Sequence, residues 1–347
     1  MMHRMKLKLC CIKPFLLLAS AGLASSAIMV AASTQTLPDE VAINSGPVGT
    51  QYVQAAAVAA MIEKHTSMKG FVERTKSHVA AMPLFQEKRC DFIFVSQAEM
   101  YLANRGTEYY KSVGPTPIRL VAAGTELWFT FFTSPKTGVA KIEDLAGRKV
   151  MWDTKTSGVF YWAARYILDY YKIRNEVISI PSPRPIDRAQ ALKTGRVDSY
   201  ACSTQYQAME SIHSSVGMKM LDVPTECAEW INERYPQIYP AVCPKGYNGG
   251  MVTRDVPLVA ASTGLHARAN LGGHVVYAVL EALYDNQEEF SKLHPTLDQM
   301  TLDRAVLLNS TVPYHTGAIR FFKDRGVWSP EADEMQQRML KELGATH

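Results

Sequence analysis

No two cysteines stand in CxxC spacing among the six in this chain of 347 residues, so neither a zinc knuckle nor a dithiol redox motif is indicated. The GxSxG, HExxH, P-loop and GxGxxG patterns are also missing, which removes the common sequence signatures of hydrolytic, zinc and nucleotide chemistry. Nine histidines are scattered, and the closest pair, His266 and His274, lacks the spacing of metal ligands on one helix. Charge of one sign is scarce as well. There are 37 Lys and Arg against 33 Asp and Glu, and the four cations Arg4, Lys6, Lys8 and Lys13 all precede the first acidic residue, Asp39. The remainder is neutral, and gives no electrostatic case for a nucleic-acid partner. After residue 32 no apolar run is long enough to span a bilayer. What is present, 47% hydrophobic and 20% charged residues, excludes disorder and suits one large core or two ordinary ones.

The start of the chain is basic through Lys13, apolar from Phe15 to Ala32, and closes on the small residues Val30, Ala31 and Ala32. This pattern reads as a cleaved secretory signal peptide over residues 1–32. The alternative is an uncleaved anchor, since about 18 apolar residues approach a membrane-spanning length. The mature chain is then expected to be soluble and periplasmic. It retains four cysteines, of which Cys90 and Cys202 adjoin strand-like apolar runs and read as buried free thiols. Cys227 and Cys243 lie in polar, proline-flanked surroundings; a disulfide between them would close a loop of about 15 residues, a constraint of roughly 3 kcal/mol in the chain-entropy account. Both the bonded and the free state are open.

Two α/β units are legible. Val41 to Asn44 reads as a strand, followed by a turn through Gly46 and Gly49 and a helix from Thr50 to Lys64. About 108 residues later Lys149 to Trp152 opens a second strand, turn and helix, with Val159, Trp162, Ala163, Tyr166, Ile167 and Tyr170 on one helical face. A further pair repeats nearly that offset: Phe85 to Gln97 aligns with Leu192 to Thr204, setting Asp91 over Asp198 and Ser96 over Ser203. Each reads as a helix end, a tight turn, an Asp opening a strand, and polar residues at its carboxyl end. Glu126 to Thr133 and Val256 to Ser262 read as paired crossover strands. The hinge is expected at Ser134-Pro135 and the loop near Gly246. One long amphipathic helix is expected from His274 to Leu293.

The order of motifs resembles the solute receptors of TRAP transporters, specifically the TAXI type, over residues 40–325. The pieces that carry the resemblance are Gly49-Thr50-Gln51-Tyr52, IEDLAGRKV at 142–150, Ser157-Gly158, ALKTGRVD at 191–198, Asp255-Val256-Pro257 and VPYHTGAIR at 312–320. The chain departs from that family in reading SGPVGTQY where a richer glycine run and two tyrosines are usual, and TKTSGV where a glycine-rich stretch is usual. The resemblance implies a two-lobed periplasmic binding protein of type II-like α/β fold with the ligand cleft between lobes. The expected division is lobe 1 over 38–134 and 249–325, lobe 2 over 135–248, and a tail or helix over 326–347. It implies capture of a small organic anion, a carboxylate or amino acid with glutamate-like or dicarboxylate compounds first, and delivery to TRAP membrane permease subunits.

In α/β lobes ligands sit beyond the carboxyl ends of the strands, where helix N-termini present free N–H groups. The candidate ligand contacts are therefore Ser45, Thr50, Tyr52, Ser96, Gln97, Thr156, Ser157, Gly158, Ser203 and Thr204. Each has a plainer role open to it: a helix cap for Thr50 and Ser157, turn geometry for Ser45 and Thr156, strand termination for Ser96, Gln97, Ser203 and Thr204, and core packing for Tyr52. Arg184 and Arg188 have the chemistry to grip a carboxylate in two places, but their setting favours a solvated face. His315 reads as structural. No cofactor, metal or catalytic residue is indicated. The alternatives from other classes are the ligand-binding part of a sensory system and an exported enzyme.

Overall fold

The computed structural model describes residues 36–45, 50–153, 158–181, 185–204 and 213–344. The expected signal peptide over residues 1–32, and Thr156 and Ser157, lie outside these residues. The chain alternates strand and helix as the sequence pattern requires. β1 (Glu40–Ser45) leads to α1 (Thr50–His65), β2 (Lys69–Arg74), α2 (His78–Gln86), β3 (Phe92–Ser96) and α3 (Gln97–Arg105). The long β4 (Ile118–Thr133) follows, then a second set: β5 (Lys149–Met151), α4 (Gly158–Tyr170), β6 (Ile178–Ser179), α5 (Pro185–Lys193) and β7 (Ser199–Ser203). Beyond these come β8 (Lys219–Met220), α6 (Thr225–Arg234), β9 (Tyr239–Cys243), the long β10 (Val256–Arg268), α7 (Gly273–Tyr284), α8 (Gln287–Lys292), α9 (Thr316–Asp324) and α10 (Pro330–Glu342).

All ten strands join one mixed sheet, ordered β2-β1-β3-β10-β4-β7-β5-β6, with β8 on β4 and β9 on β10. The first half reads 2-1-3 inward from its edge and the second repeats it with β6-β5-β7, both with parallel neighbours. Helices cover the faces because their apolar stripes require it: Ala55, Val58, Ala59 and Ile62 of α1 are buried, as are Val159, Trp162, Ala163, Tyr166 and Ile167 of α4.

The two central strands are longer than their sequence suggests. β4 and β10 pair antiparallel from Val259 opposite Phe129 to Arg268 opposite Ile118, with a bulge between Ser262 and Gly264. Gly124 lies inside β4 because a Cβ there would come within 2.5 Å of Thr263 Oγ1 and 2.9 Å of the Phe94 ring. Only glycine permits that approach. β4 meets β7 from Phe129 onward, and β10 meets β3 from Thr263 onward. The passage between halves therefore falls at 124–128 and 261–263, before the expected Ser134-Pro135. Ser134 is instead buried, its hydroxyl donating to Val216 O at 2.8 Å.

Two further expectations are corrected. The single long helix is two, α7 and α8, because Asn286 leaves helical geometry at φ −120° and ψ 35° while its side-chain amide donates to Ala282 O at 3.1 Å. Such local side-chain bonding competes with helix continuation. Cys227 and Cys243 are both free and buried, as are Cys90 and Cys202. Cys227 on α6 packs into the larger apolar cluster and Cys243 on β9 into the smaller one. Their thiols thus face different interiors and do not pair.

Candidate functional site

The carboxyl ends of the strands gather most of the polar residues singled out in the sequence. Asn44 and Ser45 close β1 and are fully buried. Ser96 closes β3 next to it, and its hydroxyl caps α3 by accepting from Glu99 N at 3.4 Å. Gln97 opens α3, with its Oε1 accepting from the Ser310 hydroxyl at 2.9 Å. Ser203 closes β7 opposite Phe129, and Thr204 N donates to Trp128 O at 3.0 Å. Thr50 is the first residue of α1 and half-buried; Tyr52, two residues on, is also half-buried, with the Arg74 guanidinium 5.8 Å from its ring. Gly158 opens α4.

Gly158 leads to a group the sequence reading missed. A Cβ at Gly158 would overlap Glu99 Oε1 and the Tyr109 hydroxyl. The Glu99 carboxylate of α3, in the first half of the fold, thus rests on the first turn of α4 in the second. Its Oε2 accepts from the Tyr110 hydroxyl at 2.8 Å and from the Tyr109 hydroxyl. Burial, followed by the neighbouring Glu99 charge, pushes both phenols well above their ordinary range, so both remain donors. Tyr109 faces Trp162 with ring centres 6.2 Å apart. Tyr161 continues the run, 4.9 Å from Trp162 and 5.8 Å from Trp152. A line of aromatic rings therefore joins Glu99 to the end of β5. A signal for Glu99 was present: Ser96-Gln97-Ala98-Glu99 has capping-box spacing. Here the backbone of Glu99 takes the cap and its carboxylate turns away to the tyrosines.

Two buried donors point to an acceptor. Asn44 Nδ2 at the end of β1 and Trp152 Nε1 at the end of β5 have no hydrogen-bond partner among the described residues. Leaving such groups unpaired costs about 1–3 kcal/mol each. Arg188 overturns the solvated-face expectation: it is 2% exposed, donates from Nη1 to Ala201 O at 3.0 Å, and lies 5.8 Å from the Phe160 ring. The reason is that α5 turns Arg188, Ala189, Ala191 and Leu192 onto β7. Arg184 lies outside the described residues. His315 Nδ1 accepts from Gly317 N at 3.1 Å as the cap of α9, which is a structural role.

Gln97, Tyr239, Ser262 and Asn309 line a cavity of about 10 Å³, room for about one water. Next to it, Thr263 Oγ1 accepts from Thr125 N at 2.8 Å and donates to Thr125 O at 2.9 Å, tying the central strands at their bulge. Among the described residues no group of three or more His, Cys, Asp or Glu side chains is placed to hold a metal ion. No helix there is long and apolar enough to cross a membrane.

Two 2-1-3 strand sets joined through a pair of long antiparallel strands, with polar residues gathered at the strand ends, form the fold of two-lobed periplasmic solute-binding proteins. Residues 43–326 match the NMT1-like family, and the chain belongs to it. Among solved structures, PhnD1 from Prochlorococcus marinus (MIT 9301), in complex with methylphosphonate, has a TM-score of 0.54 at 10% identity and covers 88% of this chain and 100% of that one. XAC2383 from Xanthomonas citri, bound to ATP, has a TM-score of 0.50 at 10% identity, covering 88% and 99%. Bound to chloride ion, the same protein gives 0.50 at 9% identity, covering 88% and 100%. At such identities the likeness shows the fold alone.

Proposed function

We propose that the protein is an extracytoplasmic receptor that captures a small organic anion, a carboxylate or amino acid, and delivers it to a TRAP-type membrane permease. One observation carries the ligand chemistry: the buried donors of Asn44 and Trp152 lack acceptors among the described residues and sit at the ends of β1 and β5. Oxygen atoms of a carboxylate are suitable acceptors. The first turn of α1 adds a favourable field of about 0.3–1 kcal/mol for an anion near it. Ser45, Thr50, Tyr52, Ser96, Gln97, Gly158, Ser203 and Thr204 remain the proposed contacts, together with Thr156 and Ser157.

The proposed lobes follow the expected division with its boundaries moved to the strand crossover, about 38–126 with 262–325, and 127–261, with 326–347 as a terminal helix and residues 1–32 as a cleaved signal peptide. In this reading the lobes part to admit the solute and close around it. The bulge at Thr263 is the natural pivot, since there the strand ladder is already broken. The TRAP assignment is supported by the motif order over residues 40–325.

The test is to purify the mature protein, unfold and refold it to remove carried solute, and measure melting with small carboxylates, amino acids and neutral metabolites. A concentration-dependent rise with carboxylate-bearing compounds is expected from binding linkage. A rise with neutral metabolites only overturns the anion reading. Co-purification of the loaded receptor with TRAP permease subunits tests delivery; failure to associate with them favours a sensory partner.

A further inference from the structure

We propose that the solute carries a protonated amine and that Glu99 is the group that recognises it, between walls formed by Tyr109, Tyr110 and Trp162. This deepens the receptor reading above and rests on it. Glu99 is 3% exposed, and carboxylates are almost never so buried without a cation or a full set of donors. Its side-chain bonds are to two neutral phenols, both on Oε2. Oε1 rests against Gly158, so among the described residues one oxygen of a carboxylate able to accept about four bonds has no side-chain donor.

The field at the start of α4 offsets only part of this, about 0.3–1 kcal/mol and up to about 2 kcal/mol in buried geometry, against a burial cost of several kcal/mol for an ion. His78 lies near enough for the Glu99 charge to act on it, yet burial outweighs that charge and lowers its pKa from 6.5. It is therefore not a standing counter-ion at neutral pH. Among the described residues no Lys or Arg is paired with Glu99.

An ammonium group entering as the lobes part supplies what is missing. Its N–H groups donate to Oε1, beside the Tyr109 and Tyr110 hydroxyls that already hold Oε2. The orphan donors of Asn44 and Trp152 are then left for the oxygen atoms of the same solute. The site as a whole reads as one for a molecule of both charges: amine toward α3, acid toward the strand ends.

The experiment is isothermal titration of the refolded mature protein with pairs matched in carbon skeleton: L-glutamate with glutarate, L-aspartate with succinate, γ-aminobutyrate with butyrate. At least one amine is expected to bind, with its deaminated partner weaker by about 30-fold or more, the loss of one desolvated charge pair. Glu99→Gln retains acceptors for the tyrosines and is expected to bring each pair within about 3-fold of each other, with the circular-dichroism spectrum unchanged. Should that variant fail to fold, Gly158→Ala provides the second test, since its Cβ displaces Oε1 and is expected to weaken the amines selectively. Deaminated acids binding as tightly as amines, or a Glu99→Gln protein with full amine preference, overturns the assignment and leaves the receptor reading in place. Binding of neither set overturns both.

Discussion

Asp91 and Asp198 perform the same task in the two halves of the sheet. Asp91 Oδ2 accepts from Ala42 N at 3.1 Å and Asp198 Oδ2 from Lys149 N at 2.9 Å, each partner 49 residues back along the chain. Their own N–H groups return to the carbonyls of those residues, at 3.1 and 2.8 Å. Each aspartate thus fastens the start of the third strand in its set to the first.

The two differ in one partner, which gives a prediction. Asp91 also accepts from Arg268 Nε at 3.2 Å and Nη2 at 3.0 Å, with both side chains 17% exposed. Asp198 has no such ion pair among the described residues. Removing Asp91 leaves a largely buried guanidinium without its charge partner, so Asp91→Ala is expected to cost about 3 kcal/mol and Asp198→Ala about 1 kcal/mol. Urea unfolding of both variants measures this. Equal losses would mean that Arg268 contributes nothing to the difference.

That repeat was legible in the sequence because it uses residues with few roles: an Asp after a tight turn, a short apolar run, a polar strand end. The full length of β4 was not legible, since Gly124 and Thr125 interrupt its apolar run and their reason is Thr263, far along the chain. Polar strand-end candidates were legible by type. Glu99 and Arg188 were not, because a charged residue in a polar stretch carries no mark of whether tertiary packing will bury it. The cysteines show the same limit: proline-flanked, polar surroundings say nothing of which cluster a thiol will face.

Acid is expected to weaken the fold through two buried histidines. His266 is fully buried and its pKa is pushed down to about 3 by desolvation, while burial holds His315 at about 4. Both are lowered from 6.5 in the unfolded chain, so the unfolded state binds more protons below that value. Their contribution is complete above about pH 6.5 and is lost as pH falls toward 4 and then 3. Each site is expected to add up to about 1.4 kcal/mol per pH unit to the slope. Urea midpoints between pH 7 and 4.5 check this, and His266→Leu is expected to flatten the profile. A slope unchanged in that variant would remove His266 from the account.

The four cysteines Cys90, Cys202, Cys227 and Cys243 are expected to be reduced and slow to react. Burial is the main cause that pushes the thiols of Cys90 and Cys227 up to about 12 and that of Cys243 up to about 11, and it raises Cys202 as well. Thiolate, the reactive form, is therefore scarce at neutral pH. A disulfide-exchange reagent is expected to find almost no thiol in the native protein and all four in denaturant without reductant. Two in denaturant would instead reveal a disulfide.

Thr263 offers the sharpest test of how the halves are joined. At the bulge its hydroxyl both accepts from and donates to the backbone of Thr125, replacing ladder bonds that the extra residue disrupts. Thr263→Val keeps the shape and removes both bonds, leaving buried backbone groups unpaired at a cost of about 1–3 kcal/mol. Thr263→Ser keeps the hydroxyl and is expected to cost less. If the bulge is also the pivot, the Val variant should sample wider openings of the ligand-free protein, seen as a larger radius of gyration in solution scattering. A Val variant that loses stability without any change in radius would place the tie in the static architecture and the pivot elsewhere along 124–128.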